Sequence, residues 1–245
     1  MKNLFIFVLL FTVLSPVYAG EIRVAVASNF ANALKDITKQ FEKSTGHKVK
    51  ISVGSTGKHY AQIKNGAPFD VFLAADTRRP ELLDNEGIAI AGSRFTYARG
   101  KLVLWSPQKN LIDENGLILA TNAYDYLAIA NPKLAPYGKA AQQVLQAKSL
   151  WNSLRSRMVR GENIGQTFQF VKSGNAQLGF VAASQVKKAG VISKGSFWEV
   201  PQQDYTAINQ QAVLLSNNEV SSAFVSFLRS EKALSIIRDF GYETL

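Results

Sequence analysis

The sequence has no cysteine and only two histidines in 245 residues. Without cysteine there is no disulfide and no thiolate nucleophile. With so few nitrogen and sulfur ligands a structural zinc site is not expected either. After the first fourteen residues no apolar run approaches the roughly 20 residues that cross a bilayer. Tandem repeats, heptads and low-complexity segments are missing as well. Like charges never run beyond a pair, Arg78-Arg79 and Lys187-Lys188 being the longest basic runs. The net charge of +10 is therefore spread over the chain. It lacks the concentrated basic stripe of a nucleic-acid binder, and no nucleic-acid partner is expected. It reads as a solvated surface that favours solubility and attracts small anions.

The first nineteen residues carry one charge, Lys2, then an apolar stretch from Leu4 to Leu14. Ser15 and Pro16 break that stretch, and Val17-Tyr18-Ala19 supplies small residues at the flanks of a cleavage position. This is the pattern of a secretory signal peptide over 1–19, with cleavage after Ala19. The stretch is too short for a membrane anchor, so the expectation is a soluble exported protein, free in the periplasm.

From Gly20 onward short apolar runs alternate with helical patterns. Ile22–Ala27 reads as a strand, and Phe30, Ala33, Leu34, Ile37 and Phe41 then mark one face of a helix over 29–43, closed by Gly46. A second strand is expected at Val49–Val53, a helix over 58–65 and a third strand at Val71–Ala75. This βαβαβ order predicts a parallel sheet covered by helices on both faces. Further on, strands are expected at 101–105, 128–130, 158–160 and 178–181, with helices over 139–148 and 166–173. A late strand at 211–215 and two helices, 220–228 and 231–240, look like a return to the first sheet. The chain is thus predicted to form an α/β fold of two lobes, 20–98 with 207–245 and 99–206, each a mixed, mostly parallel sheet flanked by helices. Two crossings join them, near 94–100 and 205–210.

In open α/β sheets ligands sit beyond the carboxyl ends of the strands, against helix N-termini. Four strand-to-helix turns there carry small, hydroxyl or amide residues: Ser28-Asn29, Gly54-Ser55-Thr56-Gly57, Asn131-Pro132 with Pro136-Tyr137-Gly138, and Gly161 to Gly165. Each helix start offers unpaired N–H groups and the positive end of a dipole, together able to surround an anion with neutral donors. Taken singly, Ser28, Asn29 and the Asn163/Gln166 pair are ordinary caps. A nucleotide loop is excluded, because Ser52 stands where its first Gly is needed and His59 where Ser or Thr should follow the Lys. Lys58 and Lys139 fall in first turns, where a cation opposes the dipole by about 0.3–1 kcal/mol; a bound dianion offsets that cost. Asp76 reads as the cap of the helix holding Glu81 to Leu83, and Asp70 lies at the amino end of its strand, away from the crevice. Trp105, Trp151 and Trp198 read as core or lobe-surface residues.

At these residues the chain resembles the periplasmic molybdate-binding proteins of ABC importers. The resemblance is carried, in order, by Ala25 to Phe30, Gly54 to Gly57, Tyr60 to Ile63, Gly66 to Phe72, Pro136 to Gly138 and Leu178 to Val181. It implies a type II periplasmic binding fold that closes on a tetrahedral oxyanion, molybdate or tungstate. It also implies the contacts: Ser28 and Thr56 through their hydroxyls, Asn29 and Ser55 as neighbouring donors, and Tyr137 and Ile164 through their main-chain N–H groups. Ser28, Thr56, Tyr137 and Ile164 would touch the oxygens of the anion rather than ligate its metal. One branch of the family places a Tyr hydroxyl in the site just after the Leu-Gly-aliphatic-Val strand. Ala182 stands there, which points to a second branch using Asn29 in its stead.

Such a protein is a monomeric carrier, not an enzyme. It needs no cofactor and delivers its anion to an ABC permease in the inner membrane. A site made only of donors suits a fully deprotonated dianion; monohydrogen phosphate would leave a donor facing donors, at roughly 1–3 kcal/mol. Sulfate, also a bare acceptor, is excluded only by size. The competing readings are a sulfate or phosphate carrier of the same fold, an iron carrier, which lacks the clustered Tyr with His or carboxylate it would need, and an exported hydrolase. The hydrolase lacks the Gly-x-Ser-x-Gly elbow, and His59, one helical turn from Ser55, does not make a triad.

Overall fold

The computed structural model describes residues 19–188, 191–192 and 194–244. The expected signal peptide lies, except for Ala19, outside the described residues. The chain begins with strand β1 (Glu21–Ala27), a single 3-10 turn (Ser28–Phe30) and helix α1 (Ala31–Thr45). It continues through β2 (Lys48–Gly54), α2 (Thr56–Lys64), β3 (Val71–Leu73), α3 (Arg78–Asn85) and β4 (Phe95–Gly100). Next come β5 (Leu102–Ser106), β6 (Leu127–Ala130), α4 (Pro136–Ala147), β7 (Met158–Gly161), α5 (Ile164–Lys172) and β8 (Leu178–Ala182). After α6 (Ala183–Val186), the two short strands β9 (Lys187–Lys188) and β10 (Val191–Ile192), and β11 (Ser196–Glu199), the described chain ends with β12 (Ile208–Leu214), α7 (Glu219–Leu228) and α8 (Glu231–Asp239).

Two five-stranded sheets result, in the orders β2-β1-β3-β12-β4 and β11-β5-β8-β6-β7. Both are mixed: β1 is parallel to β2 and β3 while β12 runs against β3 and β4. Likewise β6 is parallel to β7 and β8, and β5 runs against β8 and β11. The chain leaves the first sheet after Gly100 and returns to it at Ile208. The two-lobed α/β architecture read from the alternation of apolar runs is the one found.

Register places the future site. Ala27 pairs with Gly54, so β1 and β2 end side by side, and Ala130 pairs with Gly161, so β6 and β7 do the same. The helices stand where periodicity puts them. On α1, Ala33, Leu34, Ile37 and Phe41 are buried, and Gly46 closes the helix with φ 78°, a left-handed conformation that favours glycine. Each sheet is buried on both faces. Ile22, Val24, Leu34, Phe41, Phe224 and Ile237 share one core of the first sheet, with Phe72, Leu83 and Val213 on its other face. The larger core of the second sheet gathers Leu102, Leu127, Tyr137, Leu145 and Phe180.

Several details differ from the expectations, and three bear on the site. The stretch 94–100, expected as a crossing, is largely strand β4, paired with β12 around a register shift at Gln210/Gln211. The helix expected from 139 begins at Pro136, whose missing N–H and fixed φ suit the first helical position. The helix expected from 166 begins at Ile164, after Asn163 accepts the Gln166 N–H at 2.9 Å while Gln166 accepts that of Glu162 at 2.7 Å. These earlier starts move Tyr137 and Ile164 into first turns, where backbone donors are free.

Phe41 sits edge-on to Phe224 at 5.2 Å and to Phe227 at 5.6 Å, joining α1 to α7 away from the strand ends. Phe41→Ala is expected to lower unfolding stability by about 3–5 kcal/mol in urea titrations. Anion affinity of the folded protein should stay unchanged.

Candidate functional site

One cleft between the carboxyl ends of the two sheets is lined by Ala27, Ser28, Asn29, Gly54, Ser55, Thr56, Ala75, Ala135, Pro136, Tyr137, Asn163 and Ile164. The six residues singled out from the sequence, Ser28, Asn29, Ser55, Thr56, Tyr137 and Ile164, all lie on it. No residue of the lining carries a charge. The turn after β1 and the start of α2 form one wall, and the starts of α4 and α5 form the other.

The hydroxyls are arranged as donors. Thr56 Oγ1 accepts the Ala75 N–H at 3.0 Å. Ser55 Oγ accepts the Lys58 N–H at 3.3 Å as the cap of α2. Ser28 Oγ accepts the Gly165 N–H at 3.0 Å from the opposite wall. With an oxygen lone pair occupied in each case, the hydroxyl proton is free to turn into the cleft. The backbone accounting points the same way. In α2 the Gly57 N–H goes to the Leu134 carbonyl at 2.8 Å, and in α5 the Gln166 N–H goes to Asn163. Among the described residues, the first-turn N–H groups of Thr56, Tyr137 and Ile164 have no protein acceptor. All three residues line the cleft, at the positive ends of three helix dipoles.

The tightness of the second wall depends on Gly138. A Cβ there would stand 2.3 Å from the Ala130 carbonyl oxygen, so α4 starts against the end of β6 only because residue 138 has no side chain. That contact fixes the height of the Tyr137 N–H.

Asn29 plays a different part from the one its position suggests. Its side-chain amide donates to Gln210 Oε1 at 2.8 Å and to the Tyr242 hydroxyl at 3.0 Å, so both protons are spent away from the cleft. Only its backbone remains to serve a ligand. The phenol of Tyr137 is likewise turned inward, its hydroxyl accepting from Gln210 Nε2 at 3.3 Å. Ala182, where a family branch has Tyr, is a buried strand end whose N–H donates to Gln185 Oε1 at 3.0 Å. Sequence reasoning missed Gln210, Tyr97, Ser184 and Tyr242, which form a buried polar layer beneath the lining. The one signal available was a polar run, Asn209-Gln210-Gln211, at the head of an apolar strand. Burial holds the phenols of Tyr97 and Tyr137 well above their ordinary pKa and raises that of Tyr242, so all three are neutral under any physiological condition.

Around the rim, Asp76 accepts the Arg79 N–H and pairs with its guanidinium, which also donates to the Lys133 carbonyl across the cleft at 3.0 Å. Lys58 and Lys139 are exposed in the first turns of α2 and α4. Among the described residues no group of three His, Cys, Asp or Glu is placed to hold a metal ion. His59 is buried behind Gly54, its Nδ1 3.1 Å from Gln62 Oε1. Desolvation lowers its pKa against the opposing pull of that hydrogen bond.

The chain matches the family of bacterial extracellular solute-binding proteins over residues 22–243. It is 53% identical over 227 residues to the molybdate-binding protein ModA of Azotobacter vinelandii, covering 91% of this chain and 90% of that one. With ModA of Rhodobacter capsulatus it shares 46% over 233 residues, 94% and 90% of the two chains. The solved structure of the Azotobacter vinelandii periplasmic molybdate-binding protein superposes with a TM-score of 0.88 at 45% identity, covering 91% of this chain and 99% of that one.

His59 yields a pH test. Its folded pKa lies below the unfolded value near 6.5, so the unfolded chain takes up the proton first as pH falls. Stability contributed by the neutral ring is complete above that value and is lost as pH drops toward the folded pKa. The melting temperature should therefore fall between pH 7.5 and 5, and His59→Leu should flatten that fall. An equal fall in both proteins would remove His59 as the cause.

Proposed function

Since the chain belongs to the bacterial extracellular solute-binding proteins, and among them to the molybdate-binding proteins, we propose that it captures molybdate outside the cytoplasm, without catalysing a reaction, and hands it to an ABC transporter. The observation that carries this reading is the uncharged, donor-lined cleft between the two sheets. We infer that tungstate, of the same charge and shape, binds in the same way.

The ligand set we propose is the hydroxyls of Ser28 and Thr56, the N–H groups of Tyr137 and Ile164, and further donors from Asn29 and Ser55. Each gives a hydrogen bond to an anionic oxygen, of about 1.5–3 kcal/mol where desolvated. No lysine or arginine is needed in contact. Three helix dipoles balance the charge, and the basic surface raises the encounter rate. Because donors come from both walls, binding favours the closed arrangement of two lobes, 20–98 with 207–245 and 99–206, moving about their crossings. The closed monomer is the form that would dock on a permease in the inner membrane. Residues 1–19 would direct export to the periplasm and be removed after Ala19.

The absence of a carboxylate from the lining supports selection against protonated anions. Monohydrogen phosphate would need an acceptor for its proton, and the oxygens of Ser28, Ser55, Thr56 and Asn163 already accept N–H groups of the protein. Sulfate meets the same donors at longer range, and hydrogen bonds weaken as they stretch.

Calorimetry of the protein from Gly20 onward should show one-to-one binding of molybdate and tungstate, with sulfate and phosphate far weaker. Ser28→Ala and Thr56→Val should each weaken molybdate binding by roughly 10- to 100-fold. Preferred binding of sulfate would leave the fold and the donor mechanism standing and refute the cargo. A Thr56→Val protein with unchanged affinity would remove that hydroxyl from the ligand set.

A further inference from the structure

Gln210 is fully buried on β12, at the register shift of its pairing with β4. Its amide lies where three segments meet. Oε1 accepts from the Asn29 side chain at 2.8 Å and stands 3.1 Å from the Tyr97 hydroxyl, which shares its proton with the Ala74 carbonyl, also at 3.1 Å. Nε2 donates to the Tyr137 hydroxyl at 3.3 Å. Asn29 belongs to the wall built on the first sheet and Tyr137 to the wall built on the second, so this one side chain bridges the two. Room for it comes from Gly100, the last residue of the first sheet before the chain crosses. A Cβ there would fall 2.0 Å from the Tyr137 hydroxyl and 2.7 Å from Gln210 Nε2. Asn29 is held from the other side too, its carbonyl accepting from Tyr242 at 2.8 Å and from Ser184 at 3.1 Å.

Neither Gln210 nor the phenol of Tyr137 lines the cleft by a polar atom, yet both fix residues that do. Molybdate and sulfate are both bare tetrahedral dianions, and telling them apart requires a donor frame whose width does not adapt. A loop cannot hold such a width, whereas a buried, mutually satisfied network can. Resting on the oxyanion reading above, we propose that Gln210 is a positioning residue that sets the separation between the Asn29 and Tyr137 walls in the closed form, and so determines which size of tetrahedral oxyanion is preferred. Its effect passes through the Tyr137 ring to the backbone N–H at the start of α4. It adds nothing to the charge or number of donors at the ligand.

The test compares the ratio of sulfate to molybdate dissociation constants in four proteins: the parent, Gln210→Met, Tyr137→Phe and the double variant. Gln210→Met keeps length and volume without the amide, and Tyr137→Phe removes only the hydroxyl that Gln210 reaches. Melting temperatures are recorded alongside. The ratio is expected to fall at least five-fold in either single variant, about the worth of one hydrogen bond, with no further fall in the double variant. If both affinities drop by the same factor and the ratio holds, Gln210 only stabilises the fold and the proposal is overturned. Additive falls would also overturn it, since the two groups would then act separately. Should Gln210→Met not fold, the Tyr137→Phe ratio decides alone. A parent protein that binds neither anion would refute the oxyanion reading itself, an outcome distinct from all of these.

Discussion

Helix starts leave N–H groups that nothing in their own helix can satisfy, and this protein brings several of them to one place. The register of β1 with β2 and of β6 with β7 ends each strand pair level. The helical segments that follow must therefore begin around a common point. Neighbouring carbonyls and hydroxyls take some of the donors, as with Gly57, Lys58, Gly165 and Gln166. Those left over, on Thr56, Tyr137 and Ile164, need an acceptor from outside. A cleft that is uncharged and rich in free donors suits a guest that is all acceptor and charged. Water meets this demand poorly because each molecule also brings protons. The rest of the structure, from the two sandwiched sheets to the glycine at 138, serves to keep those few donors level.

The donor site proposed above would select among anions without a charged pocket. A lysine or arginine at the ligand would attract every anion, protonated or not. Dipoles and hydroxyls attract more weakly but are tied to fixed directions, so they discriminate by protonation state and by size. The basic residues remain at the rim and on the surface, where Lys58 and Lys139 can add to the field without touching the anion.

How far the sequence reveals this depends on the distance over which each feature is encoded. The turns holding Ser28, Ser55 and Thr56 could be read because each follows directly on a strand and local turn chemistry marks it, whereas Tyr137 and Ile164 were singled out only through the family resemblance; all five line the cleft. The apolar alternation likewise marked nearly every buried strand and helix. The segment at 95–100 could not be read that way, because its strand character comes from pairing with β12, more than a hundred positions later. The role of Asn29 was hidden for the same reason. Its side chain is claimed by Gln210 and Tyr242, which lie 181 and 213 residues further along. Polar residues that satisfy each other in the interior leave no periodic mark, and an isolated Gln or Tyr in a sequence reads as surface or core.

Those separations also govern the order of assembly. In the export proposed above, a chain threaded across a membrane from its amino end would expose the β1 turn first and the partners of Asn29 last. Through most of translocation the donors of the first wall have neither their buried supports nor an opposite wall. The emerged portion can collapse around β1 and α1, yet it has no strand β12 to insert between β3 and β4. Capture of a guest would then await nearly complete passage, and the long-range closure would make the final ordering step a slow one by comparison with a helical bundle. With no cysteine to trap a half-built form covalently, an incomplete chain stays free to rearrange until its last strand arrives.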